Sequence, residues 1–113
     1  FNFIYVGSVA VPILTDLNNN GLYDLIIGGQ WGNLFYYEQE SPGSTTFQLI
    51  TNDLGSINVG TYSAPCVADL DGDGLFDLVV GENEGYLRHY EQVAVGSTDF
   101  AWISDSCRLL TCV

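Results

Sequence analysis

The sequence predicts an all-β protein that is built from two copies of one unit. The chain of 113 residues matches itself when it is shifted by 53 positions. Its apolar residues, 47% of the total, fall in short runs rich in Val, Ile, Tyr and Phe, which are typical of strands. No segment has the period of an amphipathic helix. A length of chain typical of one domain therefore holds two small β units.

The first unit, residues 1–53, is predicted to contain four strands. They lie at residues 10–15, 24–29, 34–39 and 46–51. The second of these is a nearly continuous apolar run, which indicates a strand that is buried on both faces. A glycine-containing turn follows it, and a Ser-Pro-Gly-Ser turn precedes the fourth strand.

The second unit, residues 54–106, repeats this order after a connector at residues 54–63. Its strands are predicted at residues 64–69, 77–82, 86–92 and 99–104. Cys66 and Trp102 lie in these strands, and we expect both side chains to be buried. Residues 107–113 do not continue the repeat and form a tail. A disulfide between Cys107 and Cys112 in this tail is left open.

Four antiparallel strands in a unit of this length are typical of a β-propeller blade. A blade cannot bury both of its faces alone, so it must stack against neighbours. Closed propellers usually need about four to eight blades, whereas this chain supplies two. We therefore expect a part of a larger propeller or repeat assembly. The partners would be other blades or copies of this chain, arranged in a ring or a filament.

Each unit carries a loop in which oxygen-bearing side chains alternate, a glycine allows a turn, and a carboxylate closes the pattern. The second loop offers Asp69, Asp71, Asp73, the backbone carbonyl of Leu75, and Asp77. The first offers Asp16, Asn18, Asn20, the carbonyl of Leu22, and Asp24. Calcium takes six to eight oxygen ligands, so both loops are predicted calcium sites. Zinc would require His or Cys ligands, which neither loop contains.

The two predicted sites differ in charge. Because the second loop has four carboxylates and the first has two, we expect the second site to bind calcium more tightly. The ions are expected to be structural, since each would hold a loop and neutralise carboxylates. An Asx-rich turn without metal is the alternative for either loop.

Composition limits the partners. The formal net charge is −12, and Arg88 and Arg108 are the only basic side chains. Phosphate binding needs clustered Lys or Arg, so no nucleic-acid partner is expected. No apolar run approaches the roughly 18 residues that a membrane span requires.

The run APCVADLDGDGLFDLVVG at residues 64–81 resembles the FG-GAP/VCBS repeat family of secreted bacterial proteins and integrin-type propellers. Residues 11–28 resemble a second, slightly degenerate copy, and the resemblance extends over about residues 1–106. It implies a calcium-bearing β-propeller blade that is secreted or at the cell surface. It also implies a binding or adhesion scaffold rather than a catalyst.

No catalytic site is predicted, and we do not expect an enzyme. His89, the only histidine, matches Tyr36 of the first unit and is expected at an ordinary structural position on its strand. The main hypothesis is a calcium-stabilised extracellular scaffold with an adhesion, matrix or filament-type role. Its partner could also be an extracellular protein or a glycan.

Two alternatives remain. A lectin-like propeller could stack a sugar on Trp31, which lies in a turn between glycines. Glu84 stands at that position in the second unit, which weakens this hypothesis. An accessory domain of a secreted hydrolase is the second alternative.

Overall fold

The computed structural model of the chain describes residues 4–107, and for residues 104–107 it describes the backbone only. Eight strands form two four-stranded antiparallel sheets in which each strand pairs with the next. Blade 1 contains β1 (Val11–Thr15), β2 (Asp24–Gly28), β3 (Leu34–Gln39) and β4 (Phe47–Thr51). Blade 2 contains β5 (Ala64–Ala68), β6 (Asp77–Gly81), β7 (Leu87–Gln92) and β8 (Phe100–Cys107). The predicted all-β class and the two four-stranded units are confirmed.

The two blades stack face to face around one core. The face of blade 1 that meets blade 2, called here the forward face, presents Ile13, Ile26, Leu34 and Tyr36. The face of blade 2 that meets blade 1, called the rear face, presents Val67, Leu78, Val80 and Tyr90. Each blade has both faces, so blade 1 also has a rear face and blade 2 a forward face. Strand β2 is buried along its whole length, as its continuous apolar run predicts.

The connector between the blades locks them together. It contains one short 3-10 turn, Leu54–Ser56, and contributes Leu54, Ile57 and Val59 to the shared core. Ser63 accepts a hydrogen bond from Gly29 N at 3.0 Å through its hydroxyl, and its own N–H donates to Gly29 O at 2.9 Å. The connector is therefore an ordered part of the interface between the blades.

The rear face of blade 1 has a core of its own. Leu25, Ile27 and Phe47 pack there with Val6, and Ile4 packs against the same cluster. Ile4 and Val6 lie 53 positions before Ile57 and Val59, so the two segments cover equivalent surfaces. A pair of apolar residues two positions apart therefore precedes each blade and covers that blade's rear face.

The forward face of blade 2 lacks such a cover in the described structure. Leu34 of blade 1 is 0% exposed, whereas its equivalent Leu87 is 39% exposed. The prediction that Cys66 is buried is wrong: its equivalent Ile13 packs against blade 2, but Cys66 is exposed because no blade lies beyond it. The prediction for Trp102 is also wrong, since it is 58% exposed on the outermost strand, β8.

Helical structure plays little part in the fold. Among residues 4–107 no helix has the length and apolar character that crossing a membrane would require.

Candidate metal centre

The first loop, residues 16–24, joins β1 to β2 in a tight turn. Asp16 Oδ1 accepts a hydrogen bond from Asn20 N at 3.2 Å, and its Oδ2 accepts from Gly21 N at 3.0 Å. Asn19 and Gly21 have φ angles of 58° and 84°, in the left-handed region. Asn and Gly are the residues that tolerate this conformation best, so the polar, glycine-containing sequence allows the chain to curl around Asp16.

The second loop, residues 69–77, repeats this geometry between β5 and β6. Asp69 Oδ1 and Oδ2 accept from Gly72 N and Gly74 N, both at 3.0 Å. These glycines have φ angles of 72° and 86°. Leu75 N donates to Asp73 Oδ1 at 2.9 Å, just as Leu22 N donates to Asn20 Oδ1 at 3.0 Å. Ligation through the carbonyls of Leu22 and Leu75 stays a prediction.

Each loop ends on a buried carboxylate at the first residue of the following strand. Asp24 Oδ2 accepts from Leu17 N at 2.7 Å, and Asp77 Oδ2 accepts from Leu70 N at 2.8 Å. Asp24 is 0% exposed, and the buried hydroxyl of Tyr36 lies close enough to its carboxylate to oppose the rise in its pKa.

The residues beside these carboxylates differ between the blades. His89 lies on β7 opposite Val79, and its Nε2 lies 2.9 Å from Asp77 Oδ1, so this structural histidine contacts the closing carboxylate of a predicted metal loop. Tyr36 takes the equivalent place beside Asp24, and burial together with the charge of Asp24 raises the pKa of its phenol. Burial raises the pKa of Asp24 to about 6, and the hydrogen bond from Leu17 N opposes this shift.

Carboxylates of the second loop converge at distances suited to a cation. One oxygen from each of Asp69, Asp71 and Asp77 lies within 4.8 Å of the others, and the same holds for Asp71, Asp73 and Glu91. Calcium–oxygen bonds of about 2.3–2.6 Å place opposite ligands roughly 5 Å apart. All four predicted carboxylates of this loop therefore lie in groups that one ion could bridge.

Charge crowding in this loop shows in the pKa values. A side-chain hydrogen bond to Asp73 raises the pKa of Asp71, whereas the hydrogen bond from Leu75 N lowers the pKa of Asp73. Desolvation, followed by the negative charge of Asp73, raises the pKa of Glu91 to about 6. A divalent cation at this position would relieve the repulsion between these carboxylates.

Sequence reasoning missed two residues of the site, Glu38 and Glu91. Glu38 Oε2 accepts hydrogen bonds from Asn18 Nδ2 at 3.2 Å and Asn20 Nδ2 at 2.6 Å. Both glutamates were visible as part of a repeated Tyr-Glu-Gln sequence. Carrying the register back from the predicted turn would have placed Glu91 opposite Asp77, as observed. In the first hairpin the predicted strand ends at residues 29 and 34 would have placed Gln39 opposite Asp24, where the structure has Glu38.

The glutamine that follows each of these glutamates braces the loop. Gln92 Oε1 accepts from Phe76 N at 3.0 Å, and its Nε2 donates to Ser97 O at 2.8 Å and to Leu17 O at 2.9 Å. Gln39 makes the first two of these contacts with its own blade, to Tyr23 N and Ser44 O. The first loop is therefore tied to blade 2 through Gln92.

Trp31, the residue on which the lectin hypothesis depends, is 49% exposed. Its ring lies 6.4 Å from that of Phe35, tilted by 50°, so its recorded ring contact is within its own blade.

Comparison with known families agrees with this geometry. The model of the FG-GAP-like repeat matches residues 16–80, more than half of the chain, and the model of the FG-GAP repeat matches residues 61–101. The chain belongs to the FG-GAP repeat family. The first match begins at Asp16 and includes both acidic loops in full. No curated protein and no solved structure matches the chain.

FG-GAP repeats are typical of extracellular, adhesion-type β-propeller modules, and they are generally non-catalytic. They often bind calcium, and the acidic groups of the second loop are of the kind that could hold it. Among the described residues the carboxylates of the first loop form no such group, so its cation site stays a prediction from the sequence pattern.

Proposed function

We propose that this FG-GAP chain is a non-catalytic, calcium-stabilised extracellular scaffold whose two blades are completed by further blades of the same kind. The observation that carries the proposal is the unequal burial of equivalent residues. Leu17 of the first loop is 0% exposed and packs in the core between the blades, whereas Leu70 of the second loop is 65% exposed. A further blade against blade 2 would cover Leu70 as blade 2 covers Leu17.

The contact between blades 1 and 2 indicates how a further blade would dock. Leu17 O accepts a hydrogen bond from Gln92 of the following blade. Leu70 O occupies the equivalent place and would accept the same bond from the glutamine of the next blade. Val79 and Leu87 of the forward face would meet that blade's rear face, which removes apolar area from water. The occupant is therefore another FG-GAP blade.

Such a blade can come from the same polypeptide or from a second copy of this chain. In the second case, rear face meets forward face in a head-to-tail contact. This contact yields a ring if the rotation closes and a filament if it does not. Adhesion or matrix roles follow from the extended surface that either assembly would present.

Light scattering on the 113-residue chain tests blade completion. Self-association is expected at micromolar concentration, and Leu87→Glu should abolish it because a charge would be buried at the contact. Val95→Glu is the control, since Val95 is also an exposed apolar residue, 63% against 39% for Leu87, but lies in the turn between β7 and β8. A wild-type chain that remains a stable, folded monomer would contradict blade completion.

Calcium stabilisation is tested separately by melting curves with calcium and with a chelator. A ligand that binds only the folded state adds about 2.7 kcal/mol at a hundredfold excess over its Kd. Asp73→Ala should remove more of this stabilisation than Asn20→Ala, because it takes a carboxylate from the more acidic loop. Identical curves with and without calcium would contradict this part of the proposal.

A further inference from the structure

We propose that the forward face of blade 2 is a docking surface for residues 108–113 of the same chain, which lie outside the described residues, and that they act as a further connector. This role rests on the proposed completion of blade 2, because a connector is the first part of the next interface between blades. It extends the repeat beyond residue 106, where the sequence pattern alone placed its end. The segments that precede blades 1 and 2 show what such a connector does.

Three apolar positions recur at the same spacing in three segments of the chain, each shifted by 53 residues. They are Phe1, Ile4 and Val6, then Leu54, Ile57 and Val59, and finally Cys107, Leu110 and Cys112. In the middle segment all three side chains are at most 2% exposed and lie in the core between the blades. Ile4 and Val6 pack in the rear core of blade 1. Cysteine and leucine are among the residue types most often buried, so the third segment keeps the apolar pattern.

The backbone of the connector before blade 2 runs along the turn between β2 and β3. Val59 N donates to Gly32 O at 3.0 Å, and Asn58 forms a β-bridge with Asn33. An added Cβ on Gly32 would lie 2.5 Å from Gly60 O, so a glycine is needed for this close approach. The turn of blade 1 is thus shaped to accept the backbone of a connector.

Blade 2 keeps the receiving side of this contact. Gly85 stands at the position of Gly32, and an added Cβ there would meet nothing within 4 Å among the described residues. Gly81 stands at the position of Gly28 inside strand β6, where a glycine often marks the close approach of another backbone. In blade 1 that backbone is the connector's, at Ser63. Both glycines of blade 2 therefore leave room for a segment of the same kind.

Strand β8 brings the chain to this place. Its last residue, Cys107, pairs with Leu87 on β7, which is 39% exposed on the forward face. Leu34, the equivalent of Leu87 in blade 1, is 0% exposed in the core that the connector helps to build. Six residues follow Cys107, and in extended conformation they span about 20 Å. This length is enough to carry the segment along the turn that contains Gly85.

Disulfide trapping tests this docking. Tyr86 and Thr111 stand at the positions of Asn33 and Asn58, and the hydrogen bond beside that bridge makes it a non-hydrogen-bonded pair. The Cα atoms of such a pair are about 4.5 Å apart, within the range of about 4.4–6.8 Å that a disulfide requires. Tyr86→Cys combined with Thr111→Cys should therefore form a disulfide within one chain on mild oxidation.

The native thiols are removed first by Cys66→Ser, Cys107→Leu and Cys112→Val, the last two giving the residues of the connector before blade 2. The matched control combines Tyr86→Cys with Leu110→Cys, since neighbouring residues of an extended segment project to opposite sides. Peptide mass spectrometry of dilute, oxidised protein should find the disulfide between positions 86 and 111 and not the control. Its absence, its formation only between two chains, or equal yields in the two variants would overturn the proposal.

A pair of charge substitutions tests the packing independently. Leu110 stands at the position of the buried Ile57, whereas Leu109 stands at the position of the exposed Ser56. Leu110→Glu should lower the melting temperature by about 4 °C or more, because it would place a charge in the contact. Leu109→Glu, one residue away, should leave the melting temperature unchanged. Equal shifts in the two variants would contradict the placement of this segment.

The outcomes separate the connector from the proposed function. A disulfide between positions 86 and 111 in a chain that remains a folded monomer supports the connector and contradicts blade completion by copies of the chain. Self-association of a chain in which this disulfide does not form overturns the connector, and the proposed scaffold stands.

Discussion

The two blades share a sequence pattern but not an environment. Gly28 of blade 1 lies so close to the connector that an added Cβ would be 2.3 Å from Ser63 O. At the equivalent Gly81 of blade 2, an added Cβ would meet nothing nearer than 3.5 Å. Blade 1 shows the repeat with another blade against its forward face, and blade 2 shows it with that face uncovered in the described structure.

The two acidic loops show the same contrast. The first loop is enclosed by the following blade: Gln92 holds the carbonyl of Leu17, and an added Cβ on Gly96 would lie 3.3 Å from Asn18 O. The second loop is more acidic and more exposed. The more enclosed loop has fewer carboxylates, which is reasonable because burying each additional charge carries a desolvation penalty.

The largest expected difference between the blades concerns Leu17 and Leu70. Leu17→Ala should lower the free energy of unfolding by about 2–5 kcal/mol, because it opens a cavity in the core between the blades. Leu70→Ala should change it by no more than about 0.5 kcal/mol. Urea unfolding of dilute protein measures both values. Equal losses would show that blade 2 does not cover Leu17.

The glycine pair gives the next largest effect. Gly28→Ala should cost about 1–3 kcal/mol by forcing a methyl group against the backbone of Ser63. Gly81→Ala should be neutral or stabilising by about 0.5–1 kcal/mol, since Ala loses less backbone entropy in a strand. Thermal unfolding checks the pair. In an assembled state Gly81→Ala should also weaken self-association, and unaffected assembly would mean that the next blade docks differently.

A smaller effect separates the two glutamines. Gln92→Ala removes one hydrogen bond more than Gln39→Ala does, namely the bond to Leu17 O. We therefore expect Gln92→Ala to cost about 0.5–1.5 kcal/mol more than Gln39→Ala. The difference between Gln92→Ala and Gln39→Ala should persist when both are made in a Leu17→Ala chain, because Gln92 bonds to the backbone carbonyl of residue 17 and not to its side chain.

The smallest expected effect is a dependence on pH that arises in blade 1. The pKa of Asp24 is about 6 in the folded chain, above its usual 3.8, so the folded state binds this proton more tightly than the unfolded state does. Without divalent cations, this group should therefore lower stability as the pH rises from about 4 to about 6. Melting temperatures across this range measure the effect. Asp24→Asn should remove it, and the exposed Asp53→Asn should not.

Most of the correct predictions came from local sequence patterns. The continuous apolar run of β2 and the Asx-Gly loops act through neighbouring residues, so their structure follows from the sequence nearby. The strands were placed within a few residues, and the 53-residue shift correctly paired equivalent positions of the two blades. The boundaries at residues 53 and 106 stay predictions, and a Cys107–Cys112 disulfide lies outside the described residues because Cys112 is not among them.

The site was predicted in part for a related reason. Alternating loop ligands such as Asp69 and Asp71 can be recognised within nine residues, because they depend on a single turn. Glu38 depends on the register between two strands, which couples residues 14 positions apart. The predicted strand ends at residues 29 and 34 would have paired Asp24 with Gln39, because the strand was predicted one residue longer than β2, which ends at Gly28.

The sequence by itself determined the strands, the turns, the two acidic loops and the family, since these depend on interactions along the chain or across one hairpin. Only the tertiary structure decided which copies of the pattern are buried. Cys66 and Ile13 occupy the same position of the repeat, yet one is exposed and the other packs against blade 2. The burial of a blade face depends on whether another blade lies against it, and no residue within the blade encodes that neighbour's presence.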